Sequence, residues 1–155
     1  VYTSLRGVPS PSRDDMAIPP AANTTPSPTS DETTNWKTYR GGRLYSTDGS
    51  TMFTIKYPAD WLLEENKLYP FGKGDLGFSM ILGAGGRGAP SAQEEKNFPA
   101  GIANYYWNKN NISAGGYATF EIEGKTYIFE LNVPVSQSDE YERIFNLMLA
   151  TFKPL

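Results

Sequence analysis

The strongest constraint on this chain is the alternation that opens residues 53–61, where Phe53, Ile55 and Tyr57 fall on one side of an extended backbone and Thr54 and Lys56 on the other. Period-2 patterning of this kind specifies a strand with one buried face. Pro58 removes a ladder donor and holds Tyr57 extended, so the strand ends there. The chain then turns through Ala59 and Asp60, and Trp61 follows as a large apolar anchor.

Other segments read as partners for that strand. Residues 117–122 and 125–133 flank Glu123-Gly124 and make the clearest hairpin, with Tyr127, Phe129, Leu131 and Val133 on one face and Pro134 at its end. Residues 43–46 and 52–57 flank a turn that contains Asp48-Gly49 and predict a second hairpin. A calcium site at Asp48 would need further oxygen ligands at suitable spacing, and the sequence has none. Residues 62–66 read as an edge strand or a short turn, and residues 69–74 as loop. Leu76, Phe78, Met80 and Leu82 alternate as in another strand, which runs into the glycine-rich residues 83–88.

Those glycines satisfy G-x-G-x-x-G after a strand. Dinucleotide binding also requires a helix directly afterwards and an acidic residue about twenty positions on, whereas Ala89-Pro90 intervenes and residues 103–107 hold no acid. A loop between elements is the better reading. Residues 91–96 predict a helical turn, with Ser91 as its cap and Glu94 completing a capping box. Residues 102–107 fit either helix or strand. At the C-terminal end, residues 136–139 predict a capping-box start. Tyr141, Ile144, Phe145, Met148 and Phe152 then recur at helical spacing, giving an amphipathic helix that ends before Pro154 and lies across the sheet.

Composition divides the chain. Residues 1–35 hold half of the 12 prolines, but of the 3 Trp, 10 Tyr and 8 Phe only Tyr2. So few large apolar side chains cannot offset the entropy of ordering, and the segment reads as an extended, semi-rigid arm. Val8, Pro9, Ile18, Pro19 and Pro20 are its candidate assembly residues, held either by a neighbouring subunit or against their own domain. Residues 36–155 have the size and aromatic content of a single domain. The chain opens at Val1, and a Pro/Ser/Thr-rich leader is typical after a removed export signal, which predicts an exported protein, extracellular or at the cell surface. Asn23 and Asn111 match the N-glycosylation sequon, a pattern short enough to arise by chance.

A net charge of −3 without a basic cluster argues against nucleic acid. No apolar run reaches the roughly 18 residues a membrane-spanning helix needs. Cysteine and histidine are both absent, which removes disulfides, thiolate chemistry, the commonest general base and the commonest transition-metal ligand. The remaining candidates are the carboxylates of Asp60, Glu64, Glu65 and Asp75, and a pairing of Ser79 with Lys56. Neither forms a recognisable catalytic motif. No catalytic residue, cofactor or metal is expected. Tyr105, Tyr106 and Trp107 are the candidate ligand-binding residues, because pyranose faces stack on aromatic rings. The competing reading gives alternate rings to the core and leaves one exposed.

The Trp-Lys-Thr-Tyr opening at 36–39, the strand closing in Pro58 and Trp61, Gly124-Lys125 and the terminal helix at 139–153 together resemble the PsbP-like domains, which include extrinsic photosystem proteins and many small secreted or lipid-anchored bacterial proteins. The resemblance implies an α+β fold, an antiparallel β-sheet with helices packed on it in an α/β/α sandwich, and carries over no catalytic residue or metal ligand. The glycine-rich loop and the segment 43–50 depart from the pattern. The expected function is a non-catalytic exported structural or interaction protein, whose arm mediates self-association or attachment to an envelope protein. The alternative is a soluble binding module for carbohydrate or peptide that uses the aromatic patch.

Overall fold

The structure is a computed structural model that describes residues 30–44, 50–75, 77–85 and 94–155. The chain begins, within these residues, with a short helix α1 (Ser30–Thr33) and strands β1 (Lys37–Gly41) and β2 (Phe53–Tyr57). Then come β3 (Leu62–Glu64), β4 (Lys67–Tyr69), β5 (Met80–Ala84), β6 (Glu94–Phe98), β7 (Gly101–Lys109), β8 (Ser113–Ile122) and β9 (Lys125–Pro134). A 3-10 turn (Val135–Gln137), helix α2 (Ser138–Thr151) and strand β10 (Lys153–Pro154) complete it. The fold is mostly antiparallel sheet with one C-terminal helix, so α+β in the broad sense.

Seven strands form one sheet in the order β3-β4-β5-β9-β8-β7-β6, and three form a second in the order β1-β2-β10. The sheets join where the end of β1 runs beside β5: Leu44 N donates to Ala84 O at 2.7 Å and Ala84 N to Gly42 O at 2.9 Å. The alternation in β2 is realised in full, with Phe53, Ile55 and Tyr57 buried. The β8–β9 hairpin forms around Glu123 (φ 52°) and Gly124 (φ 79°). Two successive positive φ values are what a tight two-residue hairpin requires, and Gly124 meets that need without Cβ strain.

The aromatic content explains how the layers are held. Phe53, from the small sheet, lies 5.5 Å from Phe129 and 5.9 Å from Tyr127, both on the large sheet, and 5.8 Å from Phe152 at the end of α2. Phe145 and Met148 on α2 are fully buried in the same core. Arg143 of α2 pairs with Glu140 and also with Glu32 of α1, so the chain is already held against the helix upstream of residue 36.

Several expectations are corrected. The partner of β2 is residues 37–41 rather than 43–46, because Tyr39 and Gly41 supply the buried side of that pair. Arg43 and Leu44 instead meet Ala84, and Asp48-Gly49 lies outside the described residues. The strand expected over 76–82 is β5, shifted to 80–84, so Gly83 and Ala84 belong to the sheet rather than to the glycine-rich loop. Of the helical turn expected over 91–96, residues 91–93 lie outside the described residues, and residues 94–98 form β6, an edge strand whose ladder to β7 and buried Phe98 override the local capping preference at Glu94. Residues 102–107 are strand. At α2 the N-cap residue is Gln137, with no side-chain capping bond, because a 3-10 turn after Pro134 leads into the helix instead of a capping box. Residues 67–69 form β4, where no strand was expected; Glu65 (φ 54°) and Asn66 (φ 78°) turn the chain back from β3, the edge strand.

Candidate functional site

The register of the large sheet assigns each side chain of β7 to a face. Ala103, Tyr105 and Trp107 point toward the core and α2, while Asn104, Tyr106 and Asn108 point to the opposite, outer face. The three consecutive rings therefore do not share a surface. Tyr105 is 1% exposed, and its ring lies 6.1 Å from that of Phe145. Its hydroxyl donates to Glu142 Oε2 at 3.1 Å and accepts from Asn146 Nδ2 at 2.9 Å, while Lys96 Nζ sits 4.4 Å from its ring centroid. Burial pushes the Tyr105 phenol well above its ordinary range and keeps it neutral. This cluster has the character of a helix–sheet clamp.

Trp107 packs on Phe145 at 5.9 Å, and its Nε1 donates to Ser138 Oγ at 2.8 Å at the start of α2. Ser138 is buried, so replacing Trp107 by phenylalanine strands its hydroxyl. The expected cost is about 1–2 kcal/mol in chemical denaturation, and an unchanged midpoint would show that the bond contributes nothing.

Tyr106 is different. It lies opposite Tyr117 in register, and the two rings are parallel within 4° at a centroid distance of 5.7 Å. Across the strands the same row continues through Glu130 to Ile81. The next row holds Asn132, Gly115 and Asn108. Gly115 has no side chain, so the sheet surface drops between the two asparagines. The result is an open groove of about 610 Å³, bordered by Tyr106, Glu130, Asn108, Asn132, Ser79 and Lys109. That size falls in the range of small-molecule sites, about 300–1,000 Å³. A Cβ on Gly115 would lie 2.5 Å from the Leu131 carbonyl oxygen, so the backbone itself enforces the gap. Tyr117 stands between Tyr106 and Glu130 in the row, and its ring stacks on that of Tyr106. Burial raises the Tyr106 phenol, with the nearby Glu130 carboxylate adding to the effect, and the hydroxyl stays a neutral donor.

The other sequence candidates do not converge. Glu64 pairs with Lys73 at an exposed position, Glu65 lies in the β3–β4 turn, and Asp60 follows β2. Ser79 borders the groove, whereas Lys56 is on β2 of the other sheet, its backbone N donating to Thr151 Oγ1 at 2.9 Å. Among the described residues no group of three or more Asp, Glu, His or Cys could hold a metal ion, and no helix is long and apolar enough to cross a membrane. Asn111 is exposed in the β7–β8 connection, where Asn110 Oδ1 accepts from the backbone of Ile112 and Ser113. The arm residues Val8, Pro9, Ile18, Pro19 and Pro20, and the sequon at Asn23, lie outside the described residues. No family model and no curated protein matches the chain.

Sequence reasoning missed the groove because its members come from four strands. The available signal was the outward half of each alternating strand, where Tyr106, Tyr117, Glu130 and Asn132 all fall.

Proposed function

We propose that the chain is a non-catalytic, exported interaction protein, built on a PsbP-like α/β/α sandwich and tethered through its N-terminal arm to neighbouring subunits or to the cell envelope. The observation that carries this reading is the composition of residues 1–35, which concentrates half of the 12 prolines in a stretch nearly free of aromatic residues. Such a composition cannot build a core of its own, and it is of the kind that binding partners take up in extended form. Support also comes from α1, where Glu32 meets Arg143 on α2.

The test is the particle mass, by light scattering, of the full chain and of a chain beginning at Ser30, which keeps the Glu32 contact. The full chain is expected to form oligomers or to sediment with an envelope fraction, and the shortened chain to do neither. Equal masses together with equal sedimentation would overturn the tether.

A further inference from the structure

We propose that the groove on the outer face of the large sheet binds a neutral oligosaccharide, with Tyr106 as its aromatic wall and Asn108, Asn132 and Glu130 as its hydroxyl partners. This goes beyond the tether reading and does not depend on the arm.

The ligand class follows from what the groove offers. Its floor is made by β8 and β9, which are hydrogen-bonded on both sides. That floor therefore presents no free strand edge, and an extended peptide cannot dock there by adding to the ladder. One lysine, Lys109, and one carboxylate, Glu130, border the space, so there is no concentrated field of either sign to hold a phosphate or a polyanion. Amides, hydroxyls and glycine make up much of the lining, which is poor chemistry for a wholly apolar ligand.

What remains fits a pyranose closely. Side-chain amides present both donors and acceptors, matching hydroxyls that also do both, and a carboxylate accepts from two neighbouring hydroxyls. A sugar also has an apolar C–H face, which needs a ring to lie on. Tyr106 supplies aromatic surface at the groove's border, its ring held by the parallel ring of Tyr117 at 5.7 Å. All the principal side chains stand on paired strands, so little ordering remains to be done on binding. Gly115 carries no side chain to divide the space between Asn108 and Asn132, which leaves room for a chain of sugars.

The experiment is calorimetric titration of the full chain with cellohexaose, maltohexaose and N-acetylchitohexaose, repeated on Tyr106→Ala, Tyr106→Phe and Asn132→Ala. At least one hexasaccharide is expected to bind. Tyr106→Ala and Asn132→Ala should each weaken it by roughly tenfold or more, and Tyr106→Phe by no more than about threefold. Should Tyr106→Ala fail to fold on thermal denaturation, Asn132→Ala and Tyr106→Phe carry the comparison. Absence of binding by all three sugars at millimolar concentration, or affinity unchanged in the folded Tyr106→Ala or Asn132→Ala variant, would overturn the site. A synthetic peptide of residues 8–20 that binds in a Tyr106-dependent way where the sugars do not would also overturn it and give the groove to the arm. The chain beginning at Ser30 should retain sugar binding in full, which separates this result from the fate of the tether.

Discussion

Replacing Phe53 by alanine is expected to destabilise the domain by about 3–5 kcal/mol, read as a fall of on the order of 10–20 °C in the thermal midpoint. Phe53 is 0% exposed and touches four rings: Tyr39 at 6.1 Å, Phe129 at 5.5 Å, Phe152 at 5.8 Å and Tyr127 at 5.9 Å. These partners come from β1, from β9 of the large sheet and from the end of α2, so the ring is where both sheets and the helix meet. Its backbone partner is Gly41, and a Cβ there would sit 2.1 Å from Phe53 Cζ. The ring thus lies directly over the glycine. Removing it opens a void between layers that are fixed by their own hydrogen-bond ladders, and such a void collapses poorly. A loss below about 1 kcal/mol would mean that the small sheet is not held by this cluster.

The same residue shows why part of the fold was legible. Phe53, Ile55 and Tyr57 are buried by a strand whose pattern is local, and local patterns survive without knowledge of the partner. The β8–β9 hairpin was equally plain, since Glu123-Gly124 and the alternation through Val133 lie within one short stretch. Helix α2 followed from the spacing of Phe145, Met148 and its neighbours. Two of the failures were decided by pairing with another strand. Glu94 completes a capping box in the sequence, yet it pairs with Tyr105. Arg43 and Leu44 flank a turn signal, yet Arg43 stands opposite Ala84 in a parallel bridge and Leu44 N donates to the Ala84 carbonyl. Tertiary pairing overrode local preference in both cases.

The candidate site shows the same division more sharply. That alternate rings in 105–107 would separate was a matter of period, and Tyr105 did go to the core. That Tyr106 would meet Tyr117, with Glu130 next in the row and Asn132 beyond a gap at Gly115, required the register of three strands at once. A one-residue slip in either hairpin would send these side chains to the opposite face. The outward residues of a sheet are also free of the hydrophobic demand that makes inward ones predictable, so nothing in the pattern singles them out.

Strand β8 carries two adjacent glycines, and the second predicts the other large effect. Gly115 faces the groove, and Gly116 faces α2. A Cβ on Gly116 would lie 2.5 Å from Trp107 Cε3 and 2.8 Å from Phe145 Cε2. Both contacts are with rigid rings in a packed interior, so a β-branched side chain cannot be accommodated by a rotamer change. Gly116→Val is therefore expected to lever Phe145 and Trp107 outward, break the Trp107–Ser138 bond and cost about 3 kcal/mol. The disturbance should fall on α2, with a red shift in tryptophan emission as Trp107 loses its cover. Adding Phe145→Ala to Gly116→Val should recover part of the loss, because the second change makes room for the first; a double mutant destabilised by the full sum of the two single changes would rule out steric conflict with Phe145 as the cause. The outer face has no share in that conflict. Under conditions where Gly116→Val is still folded, its groove should keep the ligand behaviour of the parent chain, and this would show that the two faces of β8 act independently: one fixes the helix, and the other leaves open the space beside Tyr106.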